Sequence, residues 1–397
     1  MSYVLPAFPA RYNGILMHIL TDVRLLSKGR ISGIEEYTKS LIESLLEEGE
    51  KEQFSFFYSG MRKAPLPEAW GARPNVRIVD WKVPNRLLDL SMRLFHAPHI
   101  DRRISADIVF SPHFNILPPV RHAKRVVTFH DLSFMHFPEW YPWKKRAWHW
   151  LQNYRGQARS AQAIVAVSDF TREDIVRTLG IPEEKVHTIH SGINPLFCEI
   201  ANDDPRRAAF VSAKHLERPF LLFAGVLEPR KNVSGIIRAF NEVKRDPYHR
   251  ELQLIIVGRR GWLCDTIFKD AHASPWRSDI RFWGEATYDD LHMLYALASA
   301  FVYPSFFEGF GFPPLEAQAC GAPVITSNRS SLPEIVGESA LTVDPWKTEE
   351  LVYAIDCLLK NDAMHNALKK KGTENAKRFS WKKSAHSLLS LFRTLAE

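Results

Sequence analysis

Short runs of β-branched and aromatic residues recur along the chain without strict alternation of polar and apolar positions. In the first half they fall at 15–20, 54–58, 76–79, 108–110 and 126–129. In the second half they fall at 220–224, 252–257, 280–283, 300–303, 324–326 and 340–343. Strands of this kind keep neither face for water, which predicts parallel sheets covered by helices on both sides. Helical spacing fills the gaps. Ile34, Tyr37, Leu41, Ile42 and Leu45 form one apolar stripe, and 289–298, 348–360 and 362–378 read alike, with a last helix from Trp381 to Leu395. The charged stretch 199–218, with Asp203-Asp204-Pro205, reads as a linker. At 397 residues the chain exceeds one ordinary core. It divides into domains at 1–200 and 201–378, followed by a terminal helix at 379–397.

Residues 303–327 read YPSFFEGFGFPPLEAQACGAPVITS and interrupt this rhythm with chemistry. The strand ending in Tyr303 breaks at Pro304 and passes through the turn Glu308-Gly309-Phe310-Gly311. It then enters a helix with Pro313 or Pro314 near its first position, where a missing N–H costs nothing. A strand–turn–helix unit leaves N–H groups unpaired at the helix start, suited to phosphate. Glu308 precedes the turn, and Glu316 sits in or near the first helical turn. Ionised carboxylates accept hydrogen bonds from the paired hydroxyls of sugars and ribose. Taken singly, each feature also occurs as plain structure, because the macrodipole alone favours an early Glu.

Three more strand ends repeat the design. The loop Lys28-Gly29-Arg30-Ile31-Ser32-Gly33 precedes the helix from Ile34, Glu228-Pro229-Arg230-Lys231-Asn232 follows the strand 220–224, and His130-Asp131 follows 126–129. Open α/β sheets bind ligands beyond the carboxyl ends of their strands.

Charge and composition narrow the partners. A formal charge of +7 and a pI near 9.1 favour anionic partners. No zinc pattern, RNP aromatics or lysine-rich tail is present, which sets nucleic acid aside. No Asp-x-Asp triplet occurs, and neither the histidines nor Cys198, Cys264, Cys320 and Cys357 show ligand spacing, so no metal and no cofactor is expected. Scattered thiols suit a reducing compartment, the cytoplasm. The N-terminus lacks the pattern of a signal peptide, and no apolar run is long enough to span a bilayer. No Gly-x-Gly-x-x-Gly follows the first strand, which argues against a dehydrogenase.

Residues 140–155 interleave Trp140, Trp143, Trp148 and Trp150 with Lys144, Lys145, Arg146 and Arg155. Residues 81–103 hold a similar mixture, with Arg86 and Arg93. Core helices outnumber interfacial ones, so the expectation is amphipathic helices whose aromatics fill the first domain. The other reading places Trp143, Lys144, Lys145 and Arg146 against acceptor or anionic membrane.

The string EGFGFPPLEA resembles the glycosyltransferase family 4 pattern, with its Glu–seven residues–Glu spacing. So do HDLSF from His130, SDFT from Ser168, HSGIN from His190 and LEPRKN from Leu227, and the resemblance covers almost the whole chain. It implies a GT-B fold: two Rossmann-like, doubly wound parallel-sheet domains facing a cleft, with the last helix crossing back to the first. It implies a retaining enzyme that moves a hexosyl group from a nucleoside diphosphate sugar to an acceptor hydroxyl. Lys231, helped by Arg230, and the backbone of Gly309, Phe310 and Gly311 would hold the diphosphate. Ala286 would meet the base, Glu316 the ribose and Glu308 the sugar hydroxyls, with His130 reaching the sugar from the first domain and the Gly33 backbone facing the donor. The sequence departs from the family at Glu35-Glu36, where small and basic residues are usual, at Val226 in place of Arg, and at Asn194 in place of Asp. The motif set is similar to mannosyltransferases of bacterial surface-polysaccharide assembly. GDP-mannose is therefore the first donor, a UDP-sugar the alternative, and a saccharide or lipid-linked saccharide the acceptor, met at the inner face of the plasma membrane. A GT-B binding protein without turnover is the other alternative.

Overall fold

The computed structural model describes residues 17–28, 33–100, 104–117, 120 and 122–397. A first sheet holds His18–Asp22 (β1), Gln53–Ser59 (β2), Val76–Trp81 (β3), Ile108–Ser111 (β4), Lys124–Phe129 (β5), Ala163–Ala166 (β6) and Val186–Thr188 (β7). A second holds Phe220–Ala224 (β8), Gln253–Val257 (β9), Ile280–Gly284 (β10), Ala300–Tyr303 (β11), Val324–Ser327 (β12) and Ala340–Val343 (β13). Their orders are β3-β2-β1-β4-β5-β6-β7 and β10-β9-β8-β11-β12-β13, and neighbouring strands run parallel. Each sheet is doubly wound. Its strand order reverses at β1/β4 or at β8/β11, and such a reversal opens a crevice beyond the strand carboxyl ends. The runs FLLFA of β8 and AFVY of β11 are buried throughout, as strands covered on both faces must be.

The helix Gly33–Glu48 buries Tyr37, Thr38, Leu41, Ile42, Leu45 and Leu46 on one stripe. The last helix, Trp381–Ala396, lies in the same core through Ala385, Leu388, Leu389 and Phe392, and its Arg393 reaches the buried Glu52 at 2.9 Å. The end of the chain therefore crosses back to the first domain. Phe310, Leu315 and Ile335 of the second domain join that core as well.

Several expectations need correction. The first strand runs from His18 to Asp22 rather than over 15–20, and positions 15, 16 and 29–32 lie outside the described residues. Strands β6 and β7 were not foreseen. The segment 199–218 is no plain linker, because Asp204 caps a helix, Pro205–Lys214, by accepting from the Arg206 amide.

The tryptophans of the helix in 140–155 do not fill the core either, although Tyr141, Tyr154 and, from 81–103, Trp81 pack against it. Helix Trp143–Leu151 buries no residue, and Trp143 and Trp150 are 72% and 68% exposed. Helix Asn85–Phe95 buries only Leu88 and Met92, leaving Leu87, Leu90, Leu94 and Phe95 outside. Arg93, 5.3 Å from the Trp150 ring, joins the two helices. Phe114, Phe129, Leu132 and Phe134 already fill the core beneath, so the tryptophans have no room there.

Candidate active site

The loops after β8 and β11 meet at the second sheet's point of reversal. The Arg230 carbonyl accepts from the Phe306 amide at 2.9 Å and the Ser305 hydroxyl at 3.0 Å, which ties the two strand ends together. Above that tie lies an ion cluster. Glu308 Oε1 accepts from Lys231 Nζ at 2.6 Å, Ser305 Oγ at 2.7 Å and Tyr303 OH at 3.0 Å; Oε2 accepts from Arg230 at 2.8 Å. Lys231 also donates to the Tyr303 oxygen. Arg230 continues to the Phe307 carbonyl and, at 2.9 Å, to Glu228. Burial alone would raise the Glu308 carboxyl, but Arg230 and Lys231 outweigh it and hold it at about 2. Burial lowers the Lys231 ammonium, against the pull of Glu308. Two cations thus face Glu308 and Glu228, with Asp131 at 3.9 Å from Arg230, and among the described residues the buried Glu228 Oε2 has no partner.

The turn leads into helix Phe312–Ala319, with proline at its first positions. Gly311 takes φ 112°, which a side chain would resist. Glu316 lies one turn inside the helix rather than in its first turn, half-buried, with Tyr295 donating to it at 3.0 Å. Burial raises its carboxyl to about 7, with Tyr295 pulling down and the Glu36 charge adding to the rise. Glu36 comes from the first domain. It accepts from Tyr288 OH at 2.7 Å and Asn194 Nδ2 at 3.3 Å, so the helix turns one of the two unusual carboxylates towards the second domain. Glu35 lines the cleft. Ala286 stands half-buried just beyond β10, two residues before Tyr288. Gly33 opens its helix at the surface, facing the Phe312 ring.

The first domain meets the turn closely. A β-carbon on Gly309 would stand 1.6 Å from the His130 carbonyl oxygen. The Gly309 carbonyl accepts from Ser168 Oγ at 2.6 Å and Thr171 Oγ1 at 3.1 Å. His130 Nε2 donates to the Pro112 carbonyl at 2.8 Å, which leaves Nδ1 as an acceptor. Burial lowers this imidazole to about 4, against the Pro112 bond and Asp131, so it is neutral at ordinary pH.

A cleft of about 530 Å³ opens in front of His130 and Asp131, lined by first-domain residues and Arg230. Lys145 lines it with its ammonium 3.1 Å from the centroid of Trp262, whereas Trp143, Lys144 and Arg146 are exposed. The Trp262 indole donates to the Trp140 carbonyl at 2.7 Å. The aromatic segment is thus a contact between domains and a wall of the cleft.

Folding also gathers Asp169, His190 and Glu334, and Asp246, His249 and Asp356, which sequence spacing did not show. In the first group Glu334 already accepts from the Asp169 and Phe170 amides and from His190. In the second, Lys360 already binds both aspartates. Tyr303, Ser305 and Glu228 went unnoticed in the sequence, although their places at strand ends could have marked them. Tyr295 bears no such mark, since its helical spacing is that of a core residue.

Two doubly wound parallel-sheet domains, with the ion cluster and glycine turn at the second domain's point of reversal, define a GT-B glycosyltransferase. The chain belongs to the family 4, group 1 glycosyltransferases: "Glycosyltransferase Family 4" matches residues 31–196 and "Glycosyl transferases group 1" residues 205–378. It is 30% identical over 376 residues to O-antigen chain mannosyltransferase B of Escherichia coli, covering 92% of this chain and 97% of that relative. It is 26% identical over 415 residues to the serotype-specific mannosyltransferase WbdA of Escherichia coli. That alignment takes 96% of this chain and 48% of the relative, so the chain spans about half of that protein. In fold it is similar to sucrose-phosphate synthase from Thermosynechococcus elongatus, with a TM-score of 0.76 at 20% identity over 95% of this chain and 98% of the other.

Proposed function

We propose that the protein is a retaining mannosyltransferase that moves mannose from GDP-mannose to a saccharide or lipid-linked saccharide in bacterial surface-polysaccharide assembly. The observation that carries this reading is the Arg230–Lys231–Glu308 cluster beside the glycine turn. Departure of a nucleoside diphosphate develops charge that must be stabilised. Two buried cations and the amides at Phe310 and Gly311 supply positive potential in place, a task a metal ion performs elsewhere. Mannose is supported by the names of both relatives.

Glu308 then has two tasks. It keeps Lys231 and Arg230 charged and placed, and it accepts from a hydroxyl of the donor sugar. Glu316 holds the ribose, Ala286 lies against the base, and His130 Nδ1 accepts from the sugar on its other side. The acceptor oxygen bonds to the anomeric carbon while that carbon's bond to the diphosphate oxygen breaks, and the acceptor's proton goes to the departing phosphate. Helices Asn85–Phe95 and Trp143–Leu151, exposing apolar and cationic side chains together, support a peripheral contact with the anionic inner face of the plasma membrane.

The test is a thermal-shift screen against GDP, UDP, ADP and dTDP, followed by transfer assays. GDP should give the largest shift, and transfer should survive exhaustive EDTA treatment. Lys231→Ala should cost on the order of a hundredfold in rate, and Glu308→Gln should stay folded but lose most transfer. A shift by UDP alone overturns the donor. Silencing by chelation with rescue by manganese overturns metal independence.

A further inference from the structure

Three successive carbonyls of the glycine turn are held from the two domains in alternation. Ser331 Oγ, in the second domain, shares its proton between the Glu308 carbonyl at 3.0 Å and the Phe310 carbonyl at 2.8 Å. The Gly309 carbonyl between them takes its hydroxyls from the first domain, Ser168 at 2.6 Å and Thr171 at 3.1 Å. In a trans peptide, as the turn's are, the C=O of one residue and the N–H of the next point opposite ways in one plane. Holding the Gly309 carbonyl therefore aims the Phe310 amide, and holding the Phe310 carbonyl aims the Gly311 amide. These are the amides given to the diphosphate above. The first domain sets the direction of one and the second domain that of the other.

Glu334 keeps the two sets of hydroxyls in register. It stands three residues after Ser331, in the short helix Leu332–Val336. Leu332 of that helix lies 2.7 Å from where a β-carbon on Gly311 would stand, so the helix rests directly on the turn. The Glu334 carboxylate crosses to the first-domain helix Asp169–Leu179, whose first four amides have no partner within the helix proper. Ser168 meets two of them, its Oγ accepting from the Thr171 amide at 3.1 Å and its carbonyl from the Arg172 amide at 3.0 Å. Glu334 takes the other two, Asp169 at 2.9 Å on one oxygen and Phe170 at 3.1 Å on the other, and meets His190 Nε2 at 2.5 Å. A carboxylate held by both oxygens at the positive end of a helix is fixed in direction as well as distance. The residue that caps this helix, Ser168, is the same one that holds the Gly309 carbonyl.

We infer that Glu334 is a positioning residue for the reaction: by clamping the Ser168 cap to the Ser331 helix, it makes the Phe310 and Gly311 amides converge on the donor's diphosphate. The inference rests on the donor reading above. The test is calorimetric titration of the whole protein with GDP and with GMP, or with UDP and UMP should uracil give the larger thermal shift. The ratio of the two dissociation constants reads the hold on the second phosphate and cancels what base and ribose contribute. Glu334→Ala and Ser331→Ala should each shrink that ratio about tenfold, the worth of one charge-assisted hydrogen bond, with monophosphate affinity nearly unchanged. Glu334→Gln keeps one oxygen for an amide and should recover part of the loss, and it keeps the test readable if the alanine variant fails to fold. A wild type that holds the diphosphate no better than the monophosphate sinks the donor reading and this inference with it. With that preference intact, a ratio unchanged in Glu334→Gln and Ser331→Ala, whatever their melting temperatures, overturns the positioning role alone.

Discussion

Glu308 and Glu316 are eight positions apart in one motif, yet they titrate in opposite directions. Burial opposes the charge on both. Glu308 has Arg230 and Lys231 beside it and falls to about 2, whereas Glu316 has only the Tyr295 hydroxyl, with Glu36 nearby, and rises to about 7. The Glu–seven residues–Glu spacing was legible in the sequence. This difference was not, since every group that causes it comes from another element. A carboxyl raised in the folded state stabilises the fold fully below its ordinary 4.5, and that contribution is lost as pH rises through about 7. Donor binding should run the other way. Once protonated, Glu316 has one fewer free oxygen for the ribose diol, so the donor KM should rise as pH falls through about 7. In Glu316→Gln the inflection should vanish, and in Glu36→Gln it should move to lower pH. Steady-state kinetics across this range would refute the assignment if all three proteins gave the same profile.

At the scale of elements, the glycine turn decides how closely the domains approach. Its register was readable from Pro304, Gly309, Gly311 and the prolines that open the helix. Gly309 itself is needed for a reason no local pattern carries: the His130 carbonyl occupies the space of a β-carbon. Its own φ lies outside the left-handed region, so an alanine there meets the neighbour and not its own backbone. Gly309→Ala should keep both domains folded, with an unchanged circular dichroism spectrum. It should also part the domains, with a larger radius of gyration by small-angle scattering and transfer reduced on the order of a hundredfold or more. A variant as compact and as active as the wild type would show that the turn yields without cost. The aromatic-basic helices teach the same lesson. Their amphipathic pattern was plain in the sequence, but whether a core remained for them depended on Phe114, Phe129 and Phe134 reaching that space first.

Taken whole, the molecule leaves Leu87, Leu90, Leu94 and Phe95 exposed on one helix and Trp143 and Trp150 on another, the two helices tied by Arg93 at the Trp150 ring. Membrane contact there has a direct check. The protein should sediment with phosphatidylglycerol vesicles, less so at high salt. Replacing Trp143, Lys144, Arg146 and Trp150 together by Ser should release it with little change in melting temperature, because all four are exposed. Lys145 stays in place, since it lies over Trp262. Vesicle binding that survives the quadruple change would assign those helices another role.

The sequence by itself determined the two parallel sheets, the helices between them and the strand ends that bear Lys231, Glu308 and His130. Period, propensity and turn chemistry act over a few residues, and those few are all that a strand–turn–helix unit needs. Only the tertiary structure decided which charges pair and which stay open. Lys231 meets Glu308 across 77 positions and Glu36 meets Tyr288 across 252, separations over which no local periodicity exists. The strength and titration of a buried charge depend on such neighbours and on the water they exclude. The site's chemistry therefore became visible only once the strands lay side by side.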